Sequence, residues 1–131
     1  SELRDQNIQQ DRMRFRRNLE RIGEIFAYEI SKELEYEEKE VITPLGSAKM
    51  QLLKEQPLLA TILRAGLPLH EGMLNYFDQA NNGFVSAYRK YDKEEDFVIK
   101  LDYVSAPSLK DTVLIISDPM LATGGSLVAS I

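Results

Sequence analysis

The sequence predicts an α/β fold, with a mainly parallel, twisted sheet flanked by helices. Two apolar runs, 57–63 and 112–117, have the length of buried strands, and each is followed by a polar loop and a helical pattern. Strand, loop and helix in repeated order are typical of parallel sheets, whose ligands bind beyond the carboxyl ends of the strands. We therefore expect the functional residues in the loops that follow these two runs.

The composition excludes several classes of function. Of the 131 residues, 44% are hydrophobic and the net charge is −5, so the chain is globular and unsuited to broad nucleic-acid binding. No apolar run reaches the ~20 residues that span a bilayer, so no membrane partner is expected. The absence of Cys excludes thiolate metal sites and agrees with a cytoplasmic location. The single histidine, His70, is interpreted as an ordinary helix residue.

Residues 1–39 predict a long N-terminal helix. Arginines crowd residues 12–21 and glutamates crowd residues 33–40, an order that opposes the helix dipole. We interpret these charges as a solvated face with pairs four residues apart, and expect tertiary contacts or a subunit partner to hold the helix. Its apolar stripe, at three- and four-residue spacing, consists of Phe15, Leu19, Ile22, Phe26, Ile30 and Leu34.

The middle of the chain alternates between β-rich segments, turns and one further helix. The predicted elements are a hairpin over 41–52 with a turn at 44–46, a helix over 67–77, a turn at 81–83, and two β-rich segments, 84–91 and 97–103, around a charged tip at 92–96. We predict that the charged tip forms a protruding hairpin or a mobile loop.

The loop after the second apolar run is the most informative segment. Asp118 stands at the strand end, and Gly124 and Gly125 stand at the start of a helix. Glycines let backbone N–H groups converge on an anion at a helix N-terminus, and the hydroxyls of Thr123 and Ser126 can add hydrogen bonds. A carboxylate repels phosphate but accepts hydrogen bonds from sugar hydroxyls. These groups predict a ribose phosphate site, although on residue types alone a plain strand end and helix start remains open.

The loop after the first apolar run contains Arg64, whose guanidinium group suits a diphosphate. Arg89 stands beside the charged tip. Taken alone, the residue types favour a surface ion pair for Arg64, and they favour a solvated hairpin charge for Arg89 more strongly still.

The loop 118–126 resembles the phosphoribosyl-diphosphate (PRPP) motif of the type I phosphoribosyltransferases. The form with Asp-Pro at the strand end, where most relatives have two acids, resembles that of the uracil enzymes. Residues 62–67 resemble their first diphosphate-binding loop, Tyr88-Arg89 their second arginine, and parts of 14–29 their N-terminal helix. The matching string is Asp118, Pro119, Met120, Leu121, Ala122, Thr123, Gly124, Gly125 and Ser126.

The resemblance implies transfer of ribose 5-phosphate from PRPP to uracil, giving UMP and diphosphate in pyrimidine salvage. It implies that Arg64 and Arg89 bind the diphosphate, that Asp118 holds the ribose hydroxyls, and that the rest of the string binds PRPP. Within it, Thr123, Gly124, Gly125 and Ser126 anchor the 5-phosphate. Mg²⁺ bound with PRPP is the implied cofactor, and no residue of the chain is assigned to a metal or as a general base. The family also implies a homo-oligomer, with GTP as a candidate effector.

The alternative is a PRPP-binding regulatory protein of the same fold without catalysis, but the presence of both arginines favours the enzyme. We expect a single domain over 1–131, with its PRPP-binding core over 58–131. The chain stops at Ile131, about one and a half turns into the last predicted helix. It lacks the Gly-Asp-Ala segment and the hood that recognise uracil in the family, so a truncated domain is expected.

Overall fold

The computed structural model describes residues 1–91, 97–120 and 124–128, and of residues 87–91, 97–102 and 126 the main chain alone. It confirms the predicted α/β architecture. The elements are α1 (Arg12–Ser31), β1 (Tyr36–Thr43), β2 (Gly46–Leu53), β3 (Leu58–Leu63), α2 (Leu67–Leu74), β4 (Asn81–Tyr91), β5 (Phe97–Ser105), β6 (Leu114–Ser117) and α3 (Gly125–Val128). Among the described residues, no helix is both long and apolar enough to cross a membrane.

The main sheet has the strand order β5-β4-β3-β6. Its centre is β3, which pairs in parallel with β4 and β6, while β5 runs antiparallel to β4. Residues 58–62 of β3 are all buried, as a continuous apolar run predicts for a strand covered on both faces. Because β3, β4 and β6 run parallel, their carboxyl ends lie at the same edge of the sheet, where the candidate loops begin.

The predicted hairpin is confirmed as β1 and β2. The two strands pair from Tyr36 opposite Leu53 to Thr43 opposite Gly46, which leaves Pro44 and Leu45 as a two-residue turn. Gly46 has a φ of 130°, in the region that favours glycine. The hairpin packs chiefly against itself, and the Leu45 side chain at its tip is fully exposed.

The N-terminal helix is shorter than the predicted 1–39. It begins at Arg12, because the Asp11 side chain caps it by accepting hydrogen bonds from the N–H groups of Met13 and Arg14. Residues 36–39 belong to β1, since they pair with β2. The charge pairs on the helix are three residues apart rather than four, between Arg17 and Glu20 and between Glu29 and Lys32.

The buried face of α1 also differs from the predicted stripe. Its buried residues are Leu19, Gly23 and Ala27, whereas Phe26 is 47% exposed. A Cβ at Gly23 would overlap the carbonyl oxygen of Leu69 and lie 3.1 Å from the Cα of Gly72, so α1 and α2 cross at backbone contact. Small residues form this face because the helices approach so closely, and a search for large apolar side chains overlooks them.

The predicted turn at 81–83 is wrong, because these residues open β4. Asn81 lies opposite Leu58 and Gly83 opposite Ala60 in the parallel ladder. A Cβ at Gly83 would lie 3.2 Å from Leu58 Cδ2, so close packing explains this glycine better than a turn does. The second predicted helix ends at Leu74 rather than at residue 77. The charged tip 92–96 lies outside the described residues.

Candidate functional site

The ends of β3 and β6 are joined by two buried hydrogen bonds between side chain and main chain. Thr61 Oγ1 donates to the carbonyl oxygen of Ser117 at 3.2 Å, and Ser117 Oγ donates to the carbonyl oxygen of Ala60, also at 3.2 Å. Thr61 and Ser117 are 0% and 2% exposed. The loops that follow the two strands therefore leave the sheet from adjacent, firmly held positions.

Gly66 packs the loop after β3 onto these strand ends. A Cβ at this position would overlap Thr61 Oγ1 and lie 2.9 Å from the carbonyl oxygens of Ile62 and Ser117. The φ of Gly66 is −71°, so glycine is required by the lack of space and not by the backbone conformation. In this tight loop between β3 and α2, Arg64 is exposed at the edge of the sheet and follows a cis peptide bond between Leu63 and Arg64.

Asp118 follows β6 directly and is half-buried. Its Oδ1 accepts a hydrogen bond from the N–H of Met120 at 3.2 Å, which holds the carboxylate beside the strand end. Leu121, Ala122 and Thr123 lie outside the described residues. Gly124 has a φ of 75°, a left-handed backbone conformation that favours glycine, just before α3.

The structure brings Arg64 and Asp118 to the same edge of the sheet. Arg89 lies in β4, three residues beyond Ser86, which pairs with the last residue of β3. Its main chain therefore continues past the end of β3 towards the same edge, while its side chain is outside the description, as is that of Ser126. Arg64 makes no ion pair with the described residues.

A cavity of about 640 Å³ opens beside Arg64, between α1, the loop after β3 and β4. Its polar lining consists of Arg16, Arg64 and Ser86. The sequence analysis gave no role to Arg16 or Ser86. A signal for Arg16 was available, because it precedes the buried Leu19 by three positions and therefore lies on the inward side of α1.

His70 lies under the site rather than in it, and is a helix residue as expected. Its ring is 3% exposed, its Nε2 is 2.7 Å from Asn82 Oδ1, and its Nδ1 has no hydrogen-bond partner among the described residues. Burial lowers the pKa of His70, and the hydrogen bond to Asn82 opposes that shift only in part. The neutral ring ties α2 to β4.

Comparisons with known proteins identify relatives of this chain. The sequence model of the family described as uracil phosphoribosyltransferase matches residues 1–131. The uracil phosphoribosyltransferase of Porphyromonas gingivalis is 57% identical over 126 residues, which are 96% of this chain and 58% of that relative. The one from Thermococcus gammatolerans is 40% identical over 131 residues, or 98% of this chain and 57% of the relative.

A solved structure of a protein from Aquifex aeolicus superposes with a TM-score of 0.79 at 35% identity. The match covers 90% of this chain and 56% of that one. The chain thus spans a little more than half the length of the relatives that it matches.

Proposed function

This chain belongs to the uracil phosphoribosyltransferase family, and we propose that it supplies the PRPP-binding part of an enzyme that transfers ribose 5-phosphate from PRPP to uracil. One observation supports the proposal above all others. The loop of Arg64 and the segment that begins at Asp118 leave adjacent strand ends, which the hydrogen bonds between Thr61 and Ser117 hold together. A cation and a carboxylate on neighbouring loops match the diphosphate and the adjacent ribose hydroxyls of PRPP.

Each part of PRPP has a partner in this proposal. Arg64, whose guanidinium makes no ion pair with the described residues, binds the diphosphate, and Arg89 adds a second cation from β4. The half-buried carboxylate of Asp118 accepts hydrogen bonds from the ribose hydroxyls. Thr123, Gly124, Gly125 and Ser126 bind the 5-phosphate, and the left-handed backbone of Gly124 lets the main chain turn towards the anion.

The proposed reaction exchanges one bond at the anomeric carbon of the ribose. The bond to the diphosphate oxygen breaks, its electron pair leaves with diphosphate, and a nitrogen of uracil forms the new bond and releases its proton to solvent. Positive charge develops on the ring in the transition state, so the carboxylate of Asp118 stabilises it. Binding of the 5-phosphate, remote from the reacting carbon, orients the sugar.

Mg²⁺ is proposed as the cofactor, bound together with PRPP. Mg²⁺ in proteins is usually held by one or two carboxylates plus substrate phosphate oxygens, and Asp118 offers such a carboxylate at this edge. When bound, the ion neutralises charge on the leaving diphosphate. A cytoplasmic location, assembly into a homo-oligomer and a response to GTP belong to the same proposal and rest on family membership alone.

The test is uracil-dependent release of diphosphate from PRPP by the chain at its full natural length, with Mg²⁺. We expect Arg64→Ala and Asp118→Asn each to lower kcat/KM by about 30- to 160-fold, because each removes a charged partner worth roughly 2–3 kcal/mol. Arg12→Ala, an exposed arginine on α1 outside the site, is the matched control and should leave the rate unchanged.

Failure of the wild type to turn over PRPP with any pyrimidine or purine base would reject the proposed activity. Retained PRPP binding in such a protein would favour the non-catalytic regulatory alternative. Equal rates for Arg64→Ala and wild type would remove Arg64 from the site.

A further inference from the structure

The cavity beside the Arg64 loop contains a second arginine that the proposed reaction has not used. Arg16 reaches this cavity from α1, and Arg64 reaches it from the loop after β3. The remaining polar group is the hydroxyl of Ser86, at the point where β4 passes the end of β3. The lining thus holds two cations and one hydroxyl, with no carboxylate among the described residues.

This local charge runs against the composition of the chain, which has 21 acidic and 16 basic residues. Arg16 makes no ion pair with any described residue, whereas its neighbours Arg14 and Arg17 pair with Glu2 and Glu20. Two unpaired guanidinium groups on one cavity repel each other unless an anion lies between them. The arrangement therefore favours an anionic ligand in contact with both.

The position of Arg16 relative to Arg64 is set by helix packing. Leu19, one turn beyond Arg16, is buried, and Gly23 presses the backbone of α1 onto that of α2. The N-terminus of α2 follows Gly66, which is itself wedged against the ends of β3 and β6. Arg16 is thus carried on a helix that is packed against the continuation of the Arg64 loop, so the main chain that carries it is held in place before a ligand binds.

We infer that Arg16 binds the diphosphate group of PRPP together with Arg64. The inference rests on the proposed function, in which the Arg64 loop faces the diphosphate. Planar guanidinium forks bind phosphate oxygens in pairs, and a diphosphate offers oxygens to two of them at once. When the bond to the anomeric carbon breaks, the electron pair moves onto the diphosphate, and both arginines stabilise the added charge. Phe15 and Leu19 add apolar walls to the same cavity.

The test uses Arg16→Gln, Arg16→Lys and the control Arg12→Gln, all in the chain at its full natural length. Arg12 is also an exposed arginine of α1 without an ion pair to the described residues, but it does not line the cavity. We expect Arg16→Gln to raise both the KM for PRPP and the inhibition constant of diphosphate, added as its Mg²⁺ complex, about tenfold. Arg16→Lys should lie between wild type and Arg16→Gln, and the KM for uracil and the melting temperature should not change.

Three outcomes would overturn the inference. The first is an unchanged inhibition constant for diphosphate in Arg16→Gln. The second is an equal loss in Arg12→Gln, which would reveal a general charge effect. The third is a change confined to the KM for uracil, which would assign the cavity to the base. Each leaves the proposed function standing, whereas a wild type that neither turns over PRPP nor binds diphosphate would overturn the proposed function itself.

Discussion

Gly66→Ala tests whether close packing at the strand ends positions the Arg64 loop. The added Cβ would overlap Thr61 Oγ1 and lie 2.9 Å from two backbone carbonyl oxygens, those of Ile62 and Ser117. Thr61 and Ser117 are buried and hydrogen-bonded to each other's strands, so neither can move away freely. Overpacking of this kind typically lowers the free energy of unfolding by 1–3 kcal/mol, and we expect about 3 kcal/mol, or roughly 10 °C in melting temperature.

The assay combines denaturant unfolding with the KM for PRPP. Because the loop must shift to relieve the overlap, we expect the KM for PRPP to rise at least tenfold. Gly46→Ala is the matched control: its Cβ would meet nothing within 4 Å, but its φ of 130° is strained for alanine. It should lower stability by about 1–2 kcal/mol and leave the KM unchanged. A Gly66→Ala protein within 0.5 kcal/mol of wild type would refute the packing argument.

Two further predictions concern groups behind the site. Burial lowers the pKa of His70 in the folded state, so the unfolded chain binds more protons near its ordinary pKa of about 6.5. The stability that the neutral ring contributes is therefore present above pH ~6.5 and is lost as the pH falls towards the folded pKa. Urea midpoints measured between pH 5 and 8 should fall more steeply with falling pH for wild type than for His70→Gln. Parallel midpoint curves for the two proteins would contradict this prediction. Thr61→Val replaces the hydroxyl that bonds to Ser117 with a methyl group, and should lower stability by about 1 kcal/mol and raise the KM for PRPP, whereas Thr61→Ser retains the hydroxyl and should retain the KM. An unchanged KM in Thr61→Val would separate this bond from substrate binding.

Several elements were predictable because their signals are local. A continuous apolar run such as that of β3 indicates a buried strand whatever its neighbours are, and Pro44 to Gly46 carries its own turn chemistry. The positions of Asp118 at a strand end and of the glycines before a helix can likewise be predicted from one stretch of chain. The helix at 67 was also found, although its end was placed three residues too late.

The errors fall where distant segments meet. Asn81, Asn82 and Gly83 pair with β3 instead of forming the predicted turn, because main-chain pairing and the tight fit of Gly83 outweigh a local turn preference. The buried face of α1 was misplaced because Gly23 contributes close backbone contact with Gly72 and no apolar side chain of its own. The cavity that includes Arg16 depends on that same helix crossing, so no pattern within a single stretch of sequence predicts the cavity.

Residue types alone determined the chemistry available to this chain: cations, a carboxylate and hydroxyls in loops that suit a phosphorylated sugar. Tertiary structure alone decided which of these groups are neighbours. Thr61 and Ser117 are 56 positions apart, yet their hydrogen bond places one loop against the other. The same packing places Arg16 on the cavity of Arg64, because helix and strand contacts between remote segments, and not sequence spacing, set the distances on which binding depends.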